Sequence, residues 1–73
     1  MPNIYIGENL RYFRQKAGYT PRQLGTKSGV ATSKIYAVEA GIRAGFSIDN
    51  LVRLSDVLGI SIDMLIRGEN HDM

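Results

Sequence analysis

Glycine punctuates this chain at Gly18, Gly29, Gly41, Gly59 and Gly68, and each closes a segment whose apolar residues recur at helical spacing. Glycine enters the left-handed conformation that commonly ends a helix without the steric penalty of a Cβ. The expected fold is therefore all-α, five short helices joined by tight reversals, with no strand, linker or internal repeat. Leu10, Phe13, Arg14 and Ala17 mark a first helix over 6–17. Thr20, Pro21 and Gln23 have the grammar of a capping box with proline at the first helical position, setting a second helix over 21–28. Thr32 to Ala40 forms the third. Ser47 and Asp49 open a fourth, whose inward face is expected from Ile48, Leu51, Leu54, Val57 and Leu58. Ser61 caps a fifth over 62–67.

With 73 residues and no cysteine, the fold must be held by helix packing alone. A chain of this size buries only about 60% of its unfolded surface, which suits one small domain. Residues 1–5 are read as an N-terminal arm, 6–68 as the domain and 69–73 as a disordered polar tail. The sequence shows no export leader and no apolar run of about 18 residues, so the expected setting is the cytoplasm, without a membrane partner.

Catalytic equipment is not evident. The single histidine, His71, sits in the polar tail, and no GK[ST] follows any glycine to make a phosphate loop. Asp49, Asp56 and Asp63 recur every seven residues but fall on two different helices. No enzyme activity, metal, cofactor or small-molecule ligand is expected.

Charge is distributed unevenly. From Arg11 to Ser47 seven basic residues stand against Glu39 alone, giving +6, whereas Ile48 to the end carries five acids and two arginines, giving −3. A basic half joined to an acidic half fits a polyanion-binding surface backed by a non-binding one, although solvated surface charge gives the same asymmetry.

The segment between Gly29 and Gly41, VATSKIYAVEA, raises the functional question. Val30, Ile35 and Val38 turn one way, and the other side carries Thr32, Ser33, Tyr36, Ala37 and Ala40. That outer face is small and poor in charge, which is unusual for a solvated helix. A left-handed Gly29 permits a sharp turn, Val30 can plug the corner, and Leu24, Val30, Ile35 and Val38 can share one core, as in a helix-turn-helix. Gly25 sits where the two helices would cross. A mid-helix glycine costs roughly 0.5–1 kcal/mol against alanine, so either close packing requires it or it is an imperfection, and packing is the reading adopted.

The stretches IGENLRYFR, QLGTKSGV, IYAVEAG and LSDVLGISIDMLIRG, in that order, resemble the Cro and phage-repressor helix-turn-helix domains, also called the XRE family. The resemblance implies a compact five-helix lambda-repressor-like domain whose third helix enters the major groove, working as a symmetric homodimer on double-stranded DNA. By the same resemblance Thr32, Ser33, Tyr36 and Ala37 match base-reading positions. Thr20, Arg22, Lys34 and Arg43 are the phosphate candidates, with Arg11 and Lys27 as weaker ones. Arg14 and Glu39 match an ion pair tying the first helix to the third, or else Arg14 faces phosphate or water. Met64 and Ile66 on the last helix are candidates for a dimer contact.

The chain departs from the family pattern in three ways. Its reading face holds no arginine, glutamine or asparagine for bidentate base recognition. Pro21 stands where a glutamine is common, removing one backbone donor. The loop GIRAGFS is one residue longer than usual and has Phe46 in place of a common proline, expected to pack on the core rather than on DNA. Two functions are therefore weighed. The first is a sequence-specific DNA-binding transcriptional regulator acting as a dimeric repressor. The second is a helix-turn-helix-fold protein-interaction module, of an antirepressor or antitoxin-like kind, with little sequence reading left. Only the first is expected to weaken steeply with salt.

Overall fold

A computed structural model of the chain describes residues 5–68. Within them lie five helices, α1 (Ile6–Lys16), α2 (Pro21–Ser28), α3 (Thr32–Glu39), α4 (Ile48–Leu58) and α5 (Ile62–Arg67), and no strand. Most of the expected N-terminal arm and the tail with His71 lie outside the described residues. No described helix is long and apolar enough to cross a membrane.

The expected boundaries hold to within one residue, and the local chemistry explains the difference. Helices α1 and α3 stop at Lys16 and Glu39 because Ala17 and Ala40 already serve as caps. After α1 the amide of Gly18 donates to the Gln15 carbonyl at 3.0 Å and that of Tyr19 to the Arg14 carbonyl at 3.1 Å. The same paired closure ends α4, where the Gly59 amide reaches the Asp56 carbonyl at 3.3 Å and the Ile60 amide the Ser55 carbonyl at 3.1 Å. These Schellman turns satisfy carbonyls that a helix end would leave open. At the other ends, Ser47 Oγ accepts the Asn50 amide at 3.3 Å and Ser61 Oγ the Met64 amide at 3.0 Å. Thr20 and Gln23 close the expected capping box reciprocally.

The core joins α1, α2, α3, α4 and α5 through Leu10, Leu24, Val30, Ile35, Leu51, Leu54 and Leu65, with Tyr19, Phe46, Val57, Leu58, Ile60 and Ile62 packed around it. Phe46 thus packs on the core. Ile48 corrects the expected inward face of α4, because it is 70% exposed. It is the first helical residue, and the buried stripe begins only at Leu51 and runs through Leu54 and Ser55. Ile48 instead shares the outer side of α4 with Val52, one turn on, which is 41% exposed.

Two close approaches set how α3 is held. A Cβ on Gly25 would lie 2.5 Å from Thr32 Oγ1 and 3.0 Å from the Val30 carbonyl oxygen, so α2 and α3 cross so closely that any larger residue there must displace a neighbour. A Cβ on Gly7 would fall onto the Val38 carbonyl oxygen, so α1 presses still more closely on the backbone at the end of α3. Across the molecule Asn9 Nδ2 donates to the carbonyls of Leu65 and Ile66, each at 3.0 Å, fastening the last turn of α5 to α1.

Candidate nucleic-acid interface

The α2–α3 corner is built from local parts. Gly29 closes α2 at φ 79°, with its amide on the Gly25 carbonyl at 2.8 Å, and Ser28 Oγ accepts the Val30 amide at 3.1 Å. Val30 is buried in the corner, and Ile35 and Val38 fix the inner side of α3 to the core.

The outer side of α3 is uneven. Ser33 and Tyr36 are exposed, and Ala37 is half-buried. Thr32 is also half-buried, and its Oγ1 is the atom nearest to Gly25, so this side chain serves the helix crossing as well as the outer face. Ser33 and Ala37 line an open recess of ≈ 400 Å³ together with Ala31, Lys34 and Arg43.

The cations occupy three places around this face. Arg22 and Thr20, with Gln23, Thr26 and Lys27, surround a shallow recess at the start of α2, where no acidic residue enters the first turn. Thr20 Oγ1 is occupied as acceptor for the Gln23 amide at 3.1 Å, which leaves its hydroxyl proton to donate. Lys34 is half-buried and leans on Phe46, its Nζ 6.0 Å from the ring centroid. Lys27 leans likewise on Tyr19 at 5.8 Å. Arg43 is exposed in the loop after α3. Arg22, Lys34 and Arg43 have no carboxylate within ion-pair reach among the described residues.

Arg14 and Glu39 form the strut that holds α3 in place. Arg14 Nε donates to Glu39 Oε2 at 2.7 Å and Nη2 to Oε1 at 2.9 Å, a bidentate pair, while Nη1 donates to the Tyr19 carbonyl at 2.8 Å. The side chains are 10% and 5% exposed. Glu39 raises the Arg14 pKa through these hydrogen bonds, outweighing the opposing effect of burial. Arg11 Nε approaches the same carboxylate at 3.6 Å from the solvent side, so this phosphate candidate is drawn toward Glu39. No buried side-chain nitrogen or oxygen among the described residues lacks a hydrogen-bond partner.

Arg53 is a neighbour that sequence reasoning did not single out. Its Nη1 lies 3.5 Å from where a Cβ of Gly29 would stand, placing a cation at the C-terminal end of α2, where the helix dipole favours it. Only the packing of α4 against α2 brings it there, and nothing local in the sequence marks it. Met64 and Ile66 are both half-buried on α5, and Met64 borders a recess with Phe13, Ala17, Leu58 and Ile60. No group of three or more histidine, cysteine, aspartate or glutamate side chains suited to a metal occurs among the described residues.

The sequence pattern of the helix-turn-helix family matches residues 10–65. The chain is 33% identical over 67 residues to the HTH-type transcriptional regulator SinR of Bacillus subtilis (strain 168), covering 92% of this chain and 60% of SinR. It is 31% identical over 64 residues to the transcriptional regulator SlrR of the same organism, covering 88% of this chain and 42% of SlrR. The chain thus spans 60% or less of the length of these relatives. Among solved structures, the N-terminal DNA-binding domain of Bacillus subtilis SinR superposes with a TM-score of 0.82 at 33% identity, covering 92% of this chain and 96% of that one. The P22 c2 repressor in complex with a synthetic operator superposes with a TM-score of 0.77 at 31% identity, covering 88% and 96%.

Proposed function

Because the chain belongs to the helix-turn-helix family, of the XRE type, we propose that it is a DNA-binding transcriptional regulator that places α3 in the major groove and acts as a dimeric repressor. One observation carries this reading. The outer face of α3 has no acid, Lys34 and Arg43 line its recess and Arg22 stands at the start of the neighbouring α2, none of them neutralised by a carboxylate among the described residues. Cations without a carboxylate partner near an exposed helix face suit a polyanion such as duplex DNA.

In this reading Ser33, Tyr36 and Ala37 face the bases, with Thr32 contributing its methyl or hydroxyl from the edge. Thr20, Arg22 and Lys34 supply the phosphate-side contacts, and Arg43 adds positive charge beside the outer face of α3. Arg14 and Glu39 orient α3 and touch no DNA. Met64 and Ile66 are the apolar contact between two copies, and the protein works in the cytoplasm by occupying a promoter, without catalytic chemistry.

Fluorescence anisotropy tests this reading on random duplex DNA and on DNA from the protein's own upstream region. Binding is expected to be much stronger on the upstream DNA and to fall by about 0.9 log units per phosphate contact for each log unit of salt. Absence of binding at low salt would refute it and favour the protein-interaction module, with exposed Tyr36 and Ile42 as its contact surface.

A further inference from the structure

The strongest direct readout of a base pair comes from a side chain that makes two hydrogen bonds to one base edge, and the exposed face of α3 offers none of that kind. The only long cation on α3 is Lys34, and it is half-buried against Phe46. The chain then reverses at Gly41, at φ 79°, and the amides of Ile42 and Arg43 both donate to the Ala37 carbonyl, at 2.8 and 3.1 Å. These two hydrogen bonds to a single acceptor pin the backbone of Arg43 beside Ala37. Arg43 borders the same recess as Ser33 and Ala37, and also a second one that includes Glu8 and Glu39; it is exposed and has no carboxylate within ion-pair reach among the described residues.

We infer that Arg43, although outside α3, is the principal base reader of this protein and recognises a guanine in the major groove. The inference rests on the DNA-binding reading above. It accounts for the small outer face of α3, since a large side chain at position 33 or 37 would fill the recess through which the guanidinium reaches the groove floor. Ser33 and Ala37 leave that space open, and the loop supplies the fork that the helix lacks. A guanidinium matches the O6 and N7 acceptors of guanine in a fixed bidentate geometry.

The test is in vitro selection from random duplex DNA with the wild-type protein and with Arg43→Ala, each followed by affinity measurement over a salt series. Arg43 is exposed, and circular dichroism melting of the variant confirms that it folds. The wild type is expected to enrich a motif with a guanine in each half-site. In Arg43→Ala the preference at that position falls by roughly 5- to 140-fold, matching the usual value of a bidentate contact, while the rest of the motif persists. An unchanged motif bound uniformly more weakly, with a salt slope reduced by about one contact, would show a phosphate role and overturn the inference. Failure of the wild type to enrich any motif, or to bind at all, would overturn it differently, by removing the DNA-binding reading on which it rests.

Discussion

Arg14 and Glu39 meet across α1 and α3 as a planar two-bonded pair, 2.7 and 2.9 Å long, whose third arm binds the carbonyl of Tyr19 in the α1–α2 turn. One guanidinium therefore ties together the scaffold helix, the entry to α2 and the end of α3. Both side chains are nearly out of solvent, so removing Glu39 leaves Arg14 buried without a carboxylate, and removing Arg14 leaves Glu39 with only the longer contact to Arg11. Arg14→Ala or Glu39→Ala is expected to cost about 3–5 kcal/mol in urea denaturation. Arg14→Lys is expected to recover little, because an ammonium cannot span both carboxylate oxygens and the carbonyl at once. The sign of the pH effect also follows. The hydrogen bonds from Glu39 raise the Arg14 pKa above its ordinary value, so its share of stability is complete below that ordinary value and lost only as pH climbs through the still higher folded value. Arg14 itself should add no slope to stability at neutral or mildly alkaline pH.

Gly25→Ala sets two effects against each other. Alanine gains up to about 1 kcal/mol of helix propensity over glycine. Its Cβ, however, would stand 2.5 Å from Thr32 Oγ1 and 3.0 Å from the Val30 carbonyl oxygen, so the side chain of Thr32 and the backbone of the corner must both give way. Overpacking of this kind costs about 1–3 kcal/mol, so the net change should be destabilising. Thr32→Ala in the same chain should recover part of the loss, since it removes the closer of the two clashing atoms. A thermal melt showing Gly25→Ala to be more stable than the wild type would exclude a tight α2–α3 crossing.

These two sites show where the sequence was legible. Helix ends were readable because their signals are local: Thr20 with Gln23, Ser47, Ser61 and the glycines at 18, 29, 41 and 59 act within four residues of where they stand. The need for a small residue at Gly25 was readable from its position in α2, and the Arg14–Glu39 pairing came from a family resemblance. Ile48 was misplaced because periodicity gives the angle of an apolar stripe but not how far neighbouring helices extend to cover it. Thr32 looked like a pure surface residue because its spacing hid the pull of Gly25 on the facing helix. Asn9 and Arg53 carried no signal at all, their neighbours being set by tertiary packing.

Asn9 gives the third prediction. Its amide donates to two carbonyls 56 and 57 residues away at the end of α5, a helix of only 6 residues. A helix that short is not stable by itself and depends on packing and on satisfied ends. Asn9→Ala is expected to cost roughly 1–3 kcal/mol, from two hydrogen bonds at about 0.5–1.5 kcal/mol each. The loss should be concentrated in α5, so amide exchange at Leu65 and Ile66 should accelerate more than in α2 or α3. Uniform acceleration across the chain would argue against a local clasp.

The last prediction separates the two kinds of contact proposed for the interface. Arg22 stands at the start of α2 beside Thr20, away from the recess of Ser33 and Ala37, and has no acidic partner among the described residues. If it meets a phosphate, Arg22→Ala should weaken binding to every duplex by a similar factor and lower the magnitude of the log–log salt slope by about 0.9, leaving sequence preference unaltered. Tyr36 is 56% exposed on the face of α3, and its ring can lie against a base edge. Tyr36→Ala should therefore change the ratio of affinities between upstream and random DNA while leaving the salt slope nearly constant. Both variants alter exposed side chains, so neither should shift the melting temperature appreciably. If Arg22→Ala altered sequence preference while Tyr36→Ala changed only the salt slope, the proposed orientation of α3 in the groove would have to be abandoned.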